Sequence, residues 1–366
     1  MFYDRELQAI KRANRYRKRE IFGENLLDFA SNDYLGLSKK RGLFKKACKR
    51  VLRYKFHSPK ASTLVNGYHP IHKEFENYIS KINGFEKATT LGSGFLANIS
   101  LFEALPRRGD LLLFDEEFHA SGLITKKMSE ATVDIFKHND YNDLKTKIKK
   151  FKNFSKSRVI IAVEGIYSMS GDMVKKEIFD IADSHNAILI VDEAHSVGIV
   201  GKHLLGIFEY YGIKPKKNHI KMGTLGKALG SYGAYILSSK EIYNYLCNRA
   251  KAIIYTTAPS IFDIALAHEN FLYIEKNLQT IKNNIKKIKK ITSDILGIKP
   301  KSLILPIELE NSQQAIKLKQ YLLSQGFIVG AIRPPTVKKP ILRVILRLKE
   351  KKLKKLLRII QSEVLS

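Results

Sequence analysis

The sequence predicts an α/β fold, with a mostly parallel central sheet in a large domain and a smaller α+β domain after it. Three observations lead to this prediction. The middle of the chain alternates short apolar runs with helical segments, as is typical of parallel strands buried on both faces. After about residue 260 the pattern changes to a long basic helical stretch and further apolar runs. A chain of 366 residues is also long enough for more than one domain. We therefore expect an N-terminal segment at 1–44, a large domain at 45–258 and a small C-terminal domain at 259–366.

The expected elements follow in chain order. In the large domain, strands are predicted in DLLLFDEEFH, TVDIFKHND, RVIIAVEG, AILIVDEAH, HIKMGTLGK and GAYILSS, and a helix is predicted in KEIFDIADSHN. In the C-terminal part, strands are predicted in SLILPIEL, GFIVGAI and ILRVILRL, with one helix between the first two and another at the end. No repeat period or low-complexity linker interrupts this order.

Composition and charge exclude several classes of protein. The net charge of +29 comes from basic residues spread over the whole chain, largely in runs such as KNNIKKIKKI that are typical of solvated helix faces. Since no nucleic-acid-binding motif accompanies them, no nucleic-acid partner is predicted; the surface would also suit an anionic small molecule or an acidic carrier protein. No apolar run approaches the roughly 20 residues of a membrane span, and the charged N-terminus lacks the apolar core of a signal peptide. Cys48 and Cys247 match no metal spacing. We expect a cytoplasmic protein without a metal site or a membrane partner.

Three apolar runs end in polar residues, within VEGIYSMSGD, IVDEAHSVG and KMGTLGKALG. Ligands of open α/β sheets gather at the carboxyl ends of the strands, so the polar residues of these runs should converge on one cleft. A desolvated lysine in such a cleft loses its proton more easily and becomes a nucleophile for carbonyl carbon. The residues expected to converge are Glu164, Ser168, Asp192, His195, Thr224 and Lys227.

Two other functions suggested by these residues fail on motif requirements. The DEAH tetrapeptide also occurs in helicases, but those need a phosphate loop of the form GxxxxGK followed by Ser or Thr. The two Gly-Lys pairs, at 201–202 and 226–227, satisfy neither condition. A hydrolase triad of Ser168, Asp192 and His195 would need a GxSxG turn around its nucleophile, and the sequence has none there.

Pyridoxal 5′-phosphate (PLP) explains the set better. This cofactor requires a lysine, an acidic partner for its ring nitrogen, a phosphate seat and a group stacked on its ring. Asp192 can keep the ring nitrogen protonated, and His195 is placed to reach the phenolic oxygen. The stretch GSGFLANIS (92–100) predicts a glycine turn that opens a helix, whose backbone N–H groups can bind phosphate. His119 could lie flat over the ring.

Over nearly its whole length the sequence resembles the α-oxoamine synthases, within the fold-type I PLP enzymes. The resemblance rests on several motifs that occur in the family's order. They are DFASNDYLGLS (28–38), NGYHPIHKEFE, GSGFLAN, FHAS, EGIYSMSGD, VDEAHSVGIVG, TLGKALG and AIRPPTV (331–337). The resemblance implies a fold-type I PLP-dependent transferase and a homodimer.

The resemblance also implies individual roles. Lys227 would be the Schiff-base lysine, acting with His119 stacked on the ring, Asp192 at the ring nitrogen and His195 at the phenolic oxygen. The other implied cofactor contacts are Ser168 at the phenolic oxygen, Gly94, Phe95 and Thr224 at the phosphate, and Thr256 or Thr257 at the phosphate of the partner subunit, with Thr257 counted among the cofactor-binding residues. Arg333 would bind the substrate amino acid's carboxylate. Arg17 would meet the acyl substrate.

Within the family the likeness is closest to members that join L-alanine to a pimeloyl thioester in biotin biosynthesis. The acyl carrier, coenzyme A or acyl carrier protein, is left open. The motifs SNDYLGLS and AIRPPTV favour this group. Glycine-using acetyltransferases and other α-oxoamine synthases share most of the motifs and remain the alternative. A non-catalytic basic binding protein on the same fold is a further alternative, which the intact lysine, aspartate and histidine set disfavours.

Overall fold

The structure, a computed structural model, describes residues 2–13, 15–127, 129–151, 157–347 and 350–365. The chain folds into two compact units. The larger unit consists of Asn32–Lys287 and Lys301–Leu303, and the smaller one of Met1–Ser31, Ile288–Pro300 and Ile304–Ser366. The domain limits expected from the sequence stay a prediction.

The strands alternate with helices along most of the chain. In chain order the strands are β1 (Leu27–Asp28), β2 (Lys87–Leu91), β3 (Leu111–Asp115), β4 (Thr132–Phe136), β5 (Val159–Glu164), β6 (Ile188–Asp192), β7 (His219–Thr224), β8 (Ala234–Ser238), β9 (Ile304–Glu308), β10 (Phe327–Ile328), β11 (Gly330–Ile332) and β12 (Ile341–Ile345). Each apolar run that predicted a strand contains at least one of them.

The helices fill the intervals between the strands. They are α1 (Asp4–Arg12), α2 (Arg41–Val51), α3 (Pro70–Asn83), α4 (Gly94–Ala104), α5 (Ala120–Leu123), α6 (Tyr141–Lys150), α7 (Glu177–Ser184), α8 (Ile207–Tyr210), α9 (Lys240–Arg249), α10 (Lys251–Ile254), α11 (Ile261–Lys276), α12 (Leu278–Leu296), α13 (Ser312–Ser324) and α14 (Glu350–Ile360). Over the residues that the structure describes, no helix is both long enough and apolar enough to cross a bilayer.

The central sheet of the larger unit has the strand order β2-β8-β7-β6-β5-β3-β4. Neighbouring strands from β7 to β4 run parallel, whereas β8 runs antiparallel to both β7 and β2. In this register Asp192 pairs with Glu164 on one side and with Met222 on the other. The mostly parallel sheet confirms the predicted fold class, and its register brings the carboxyl ends of β5, β6 and β7 into line.

Burial explains why the apolar runs became strands. Every residue of β5 is buried, so its sequence, VIIAVE, shows no alternation of polar and apolar residues. On one face of the sheet, Leu101 and Phe102 of α4 belong to the same core cluster as Phe114 and Ile160 of the strands. Each such side chain contributes about 1.5–3 kcal/mol when it is fully buried.

The smaller unit contains two small sheets. Strands β11, β12 and β9 form one antiparallel sheet, and β1 pairs in parallel with β10. Arg347 Nη1 donates to Asp28 Oδ2 at 3.1 Å. The run GFIVGAI, expected as one strand, is divided between the two sheets, because β10 and β11 pair with different partners. A change of pairing partner leaves no signal in local hydrophobicity.

Candidate active site

Lys227 lies in a loop whose small residues are required by close packing. The loop follows β7, and the amide of Leu225 donates to the carbonyl of Gly233 at 2.9 Å. Gly230 has a φ of +53°, and a Cβ atom there would lie 2.6 Å from the amide nitrogen of Ser38. Only glycine fits this position without strain. The small residues therefore let the loop fold tightly and leave Lys227 half-buried.

The Lys227 amine contacts a histidine from the neighbouring strand end. Lys227 Nζ lies 2.7 Å from His195 Nε2, and His195 Nδ1 lies 2.5 Å from the hydroxyl of Tyr34. When the ammonium of Lys227 donates to Nε2, a neutral imidazole carries its proton on Nδ1 and donates it to the Tyr34 oxygen. The three side chains thus form one continuous hydrogen-bonded chain that ends at the Lys227 amine.

Asp192 ends β6 and is 5% exposed. Its Oδ2 accepts a hydrogen bond from Asn98 Nδ2 at 3.0 Å, and its Oδ1 accepts from the amide of Ala194 at 2.9 Å. A carboxylate offers about four lone-pair positions, so these two contacts orient Asp192 and leave acceptor capacity for another N–H group. This geometry suits a carboxylate that faces a protonated ring nitrogen.

A short chain of hydrogen bonds connects Asn98 to His119. Asn98 Nδ2 donates to Ser121 Oγ at 2.8 Å, and Ser121 Oγ lies 2.7 Å from His119 Nδ1. The amide of Ser121 also donates to His119 Nδ1 at 3.1 Å, so this nitrogen is an acceptor and carries no proton. Burial and the charge of Lys227 lower the pKa of His119, while Asp192 raises it less. The imidazole is therefore held neutral, as suits a ring that stacks on an aromatic cofactor.

Glu164 and Ser168 lie at the end of β5. The amide of Ser168 donates to Glu164 Oε2 at 3.1 Å, and both residues are buried. Burial, and after it the charge of Asp192, raises the pKa of Glu164 well above its usual range, against the opposing effect of Lys227. The charges of Asp192 and Lys227 both act on the Glu164 carboxyl, so these three side chains lie near one another, and the raised pKa favours the neutral form of Glu164.

The two acids of the DEAH segment have different surroundings, since Asp192 is the last residue of β6 and Glu193 is the first residue after it. Glu193 accepts hydrogen bonds from the amides of Ile207 at 2.7 Å and Phe208 at 3.3 Å, at the start of α8. It also lies 3.6 Å from the buried ammonium of Lys221. Gly206 precedes α8 with a φ of +106°, and a Cβ atom there would lie 2.0 Å from Glu193 Oε2. Glu193 therefore supports the start of α8, whereas Asp192 faces the site.

The predicted phosphate seat lies at the start of α4. Gly94 begins this helix, and Ser93 caps it by accepting a hydrogen bond from the amide of Leu96 at 3.2 Å. A Cβ atom on Gly94 would lie 3.8 Å from Thr224 Cβ, so the helix start and the end of β7 are adjacent. Phe95 is 48% exposed. Free N–H groups at a helix start favour an anion, as the phosphate prediction requires.

The other predicted residues lie elsewhere along the chain. Thr257 is exposed and forms an isolated bridge with Ser62, whereas the Thr256 hydroxyl donates to the carbonyl of Ala252 at 2.6 Å. Arg333 follows β11 in the smaller unit and is half-buried. Arg17 belongs to the same unit, lies beyond the end of α1 and is exposed. The roles of these residues stay predictions.

Sequence reasoning missed three residues that organise the site, Tyr34, Asn98 and Ser121. Each lies inside a quoted motif, SNDYLGLS, GSGFLAN or FHAS, and this was the only signal. Their partners, His195, Asp192 and His119, were singled out, but the contacts themselves depend on how the chain folds, so no local pattern could have revealed them.

The side chains present fit a PLP molecule. Within the described part of the chain, Asn98 Oδ1 and Glu164 Oε1 are buried beside the site and accept no hydrogen bond. Buried polar atoms normally have partners, so these two leave capacity for a polar group of a ligand. The groups that this cofactor requires are present at one sheet edge. They are the Lys227 amine, the Asp192 carboxylate, the neutral imidazole of His119 and the start of α4.

Comparison with known proteins agrees with this site. Residues 24–360 match the family Aminotransferase class I and II. The 8-amino-7-oxononanoate synthase of Helicobacter pylori (strain ATCC 700392 / 26695) is 45% identical over 351 residues, covering 95% of this chain and 93% of that protein. The crystal structure of the 8-amino-7-oxononanoate synthase of Francisella tularensis is 29% identical, with a TM-score of 0.75, and covers 93% of this chain and 98% of that one. A serine palmitoyltransferase from S. paucimobilis, solved with a bound PLP-myriocin aldimine, has a TM-score of 0.88 at 21% identity. The match covers 99% of this chain and 97% of that one, and it shows the fold alone.

These similarities confirm the predicted fold-type I transferase, its PLP cofactor and its kind of activity. The family match covers most of the chain, and the Helicobacter relative aligns over almost its full length. The chain belongs to the aminotransferase class I and II family, in which it is a PLP-dependent acyltransferase of the 8-amino-7-oxononanoate synthase group.

Proposed function

We propose that this protein condenses L-alanine with a pimeloyl thioester to give 8-amino-7-oxononanoate, carbon dioxide and the free thiol carrier. The observation that carries the proposal is the 2.7 Å contact between Lys227 and His195 at the sheet edge that also bears Asp192. The names of the relatives support the choice of substrates, and the motifs of the sequence agree with it. The reaction would belong to biotin biosynthesis, in the cytoplasm.

The chain's own residues would hold the cofactor at its ring and its phosphate. Asp192 would face the ring nitrogen and keep its positive charge in place, and the neutral ring of His119 would lie against its face. Ser168 and His195 would bond the phenolic oxygen. The phosphate would be held by Gly94, Phe95 and Thr224. When bound, PLP would withdraw electrons from the α-carbon of the amino acid and so make its proton acidic.

The remaining work of the reaction is orientation and proton transfer. Arg333 would hold the alanine carboxylate with two parallel N–H···O bonds. The Lys227 amine would remove the α-proton and later return one, and His195 with Tyr34 would hold that amine in position and share its proton. Exclusion of water from the buried strand ends would strengthen each of these charge interactions.

A substrate panel tests the proposed substrates. We expect alanine to be used better than glycine by about 10-fold or more, because a methyl group in an apolar pocket discriminates by about 1–3 kcal/mol. The acyl side should discriminate more sharply, since a pimeloyl chain ends in a carboxylate or its ester whereas an acetyl group has no such end. The measurement is kcat/KM for alanine and glycine with pimeloyl and acetyl thioesters.

The panel also tests Arg17 and the alternative function. Arg17→Ala should reduce kcat/KM for the pimeloyl thioester while leaving that for the acetyl thioester unchanged. An equal effect on both donors would contradict a role of Arg17 in binding the acyl end. Faster turnover of glycine with acetyl-coenzyme A than of alanine with pimeloyl thioester would replace the proposed function with that of a glycine acetyltransferase.

We further expect an obligate homodimer in which Thr257 contacts the phosphate in the partner subunit. Thr257→Ala should weaken PLP binding by about 10-fold, because a hydrogen bond to a charged group contributes about 1.5–3 kcal/mol. Thr256→Ala is the matched control, since the Thr256 hydroxyl already donates to Ala252. Sedimentation and PLP titration measure both points. An active monomer, or equal effects of the two substitutions, would contradict this assignment.

A further inference from the structure

We propose that His138 is a positioning residue of this site. As an imidazolium held between Asp115 and Asp172, it fixes the 165–172 loop and with it Ser168. The inference rests on the proposed function only for the role of Ser168 at the cofactor. The anchoring of the loop is a property of the chain itself.

Both ring nitrogens of His138 bond to carboxylates. His138 Nδ1 donates to Asp115 Oδ1 at 2.8 Å, and His138 Nε2 donates to Asp172 Oδ2 at 3.1 Å. The side chain of Asp115 is fully buried. A histidine that donates from both nitrogens is an imidazolium. With both nitrogens facing carboxylates, the group forms an ion-pair network.

This network joins three neighbouring strands of the central sheet. Asp115 ends β3, His138 follows β4, and Asp172 closes the loop after β5, in the sheet order β5-β3-β4. Asn139 strengthens the connection, since its Nδ2 donates to Asp172 Oδ2 at 3.0 Å and to the carbonyl of Met173 at 3.1 Å. His138 and Asn139 therefore hold the C-terminal end of the 165–172 loop at Asp172.

The 165–172 loop is also closed internally, so an anchor at Asp172 acts on Ser168. The amide of Tyr167 donates to the carbonyl of Asp172 at 3.0 Å, and the amide of Gly171 donates to the carbonyl of Tyr167 at 2.9 Å. The ring of Tyr167 is fully buried and meets the His138 ring edge to face, with centroids 4.4 Å apart. Ser168 comes next in the chain and is itself buried.

The surrounding charges keep His138 protonated. Burial lowers the pKa of His138, but its hydrogen bonds to Asp115 and Asp172 and their charges outweigh burial and raise it to about 10. Glu117 Oε2 adds a third carboxylate at 3.8 Å from Nε2. Burial raises the pKa of Asp172, but its bonds to His138 and Ser170, with the charges of His138 and Lys301, lower it below its usual value.

The raised pKa of His138 fixes the direction in which pH affects the His138 ion pairs. Because the pKa of His138 in the folded protein lies above its ordinary value of about 6.5, the stabilising effect is fully present below about pH 6.5. It is lost as the pH rises through about 10. The loop should therefore stay anchored throughout the neutral range.

The first test needs neither substrate. In protein labelled with ¹⁵N-histidine, with the His138 signal identified by its loss in His138→Gln, we expect a doubly protonated ring at pH 8 with and without PLP. An imidazole that is neutral at pH 8 would overturn the proposal. Since this readout does not involve alanine or a thioester, it is independent of the proposed function.

The second test measures what a merely structural histidine would not change. In the holoenzyme, His138→Gln should weaken PLP binding by about 10-fold and shift the pH midpoint of the cofactor's visible absorbance. His138→Arg should restore part of the affinity, because it returns a cation with several donors. His203→Gln is the matched control, since His203 pairs with a single carboxylate, that of Glu209, on the surface. Unchanged PLP affinity and absorbance midpoint in His138→Gln would contradict the proposal.

Discussion

Lys227→Ala should abolish turnover, with a loss of about 10⁴-fold in kcat. The substitution removes the amine that is proposed to hold the cofactor and to move the α-proton, and no neighbour can replace it in the same position. His195, at 2.7 Å from the amine, has its other nitrogen engaged with Tyr34. Borohydride treatment of the wild type should attach PLP covalently to the peptide that contains Lys227, as mass spectrometry can show.

A surface lysine provides the control for this experiment. Lys217 is exposed and lies in the same unit, so Lys217→Ala removes the same side chain without touching the site. It should keep wild-type turnover and wild-type labelling. Covalent PLP on a lysine other than Lys227, or turnover by Lys227→Ala above a tenth of the wild-type rate, would overturn the assignment.

Asp192→Asn should reduce kcat by about 10²–10³-fold, the usual cost of removing one preorganised electrostatic contact. The change removes the negative charge opposite the ring nitrogen. It also places an amide where Asn98 Nδ2 and the amide of Ala194 both donate, at 3.0 and 2.9 Å. The side-chain NH₂ of the new asparagine can then face one of these two N–H donors, which costs about 1–3 kcal/mol.

The measurement combines steady-state rates with the visible spectrum of bound PLP. Asp180→Asn is the matched control, because Asp180 is exposed on α7. This substitution removes the same negative charge at a position away from the strand ends. We expect an altered spectrum and slow turnover only in Asp192→Asn. Removal of such a contact usually changes the rate by orders of magnitude. If the kcat of Asp192→Asn stays within about 3-fold of the wild type, Asp192 does not act on the ring nitrogen.

Much of the fold could be predicted because burial acts on the whole strand. A strand covered on both faces is apolar along most of its length, and in β5 and β6 only the last residue is charged. Polar residues that follow such runs have to lie at one sheet edge, which is why Asp192 and Lys227 could be placed together without a structure. The two strands within GFIVGAI could not be separated in this way, since pairing partners lie far apart in the chain.

The sequence by itself determined the fold class, the sheet edge and the chemistry of the site, because these depend on local hydrophobicity and on the kinds of side chain that follow each strand. Tertiary structure alone decided which groups meet. Tyr34 reaches His195 across 161 positions and Asn98 reaches Asp192 across 94. It also decided that Asp192 faces the site while Glu193 supports α8, and that His138 lies between two carboxylates. Such contacts depend on strand order and register, which arise from packing of the whole sheet and leave no periodic pattern in the chain.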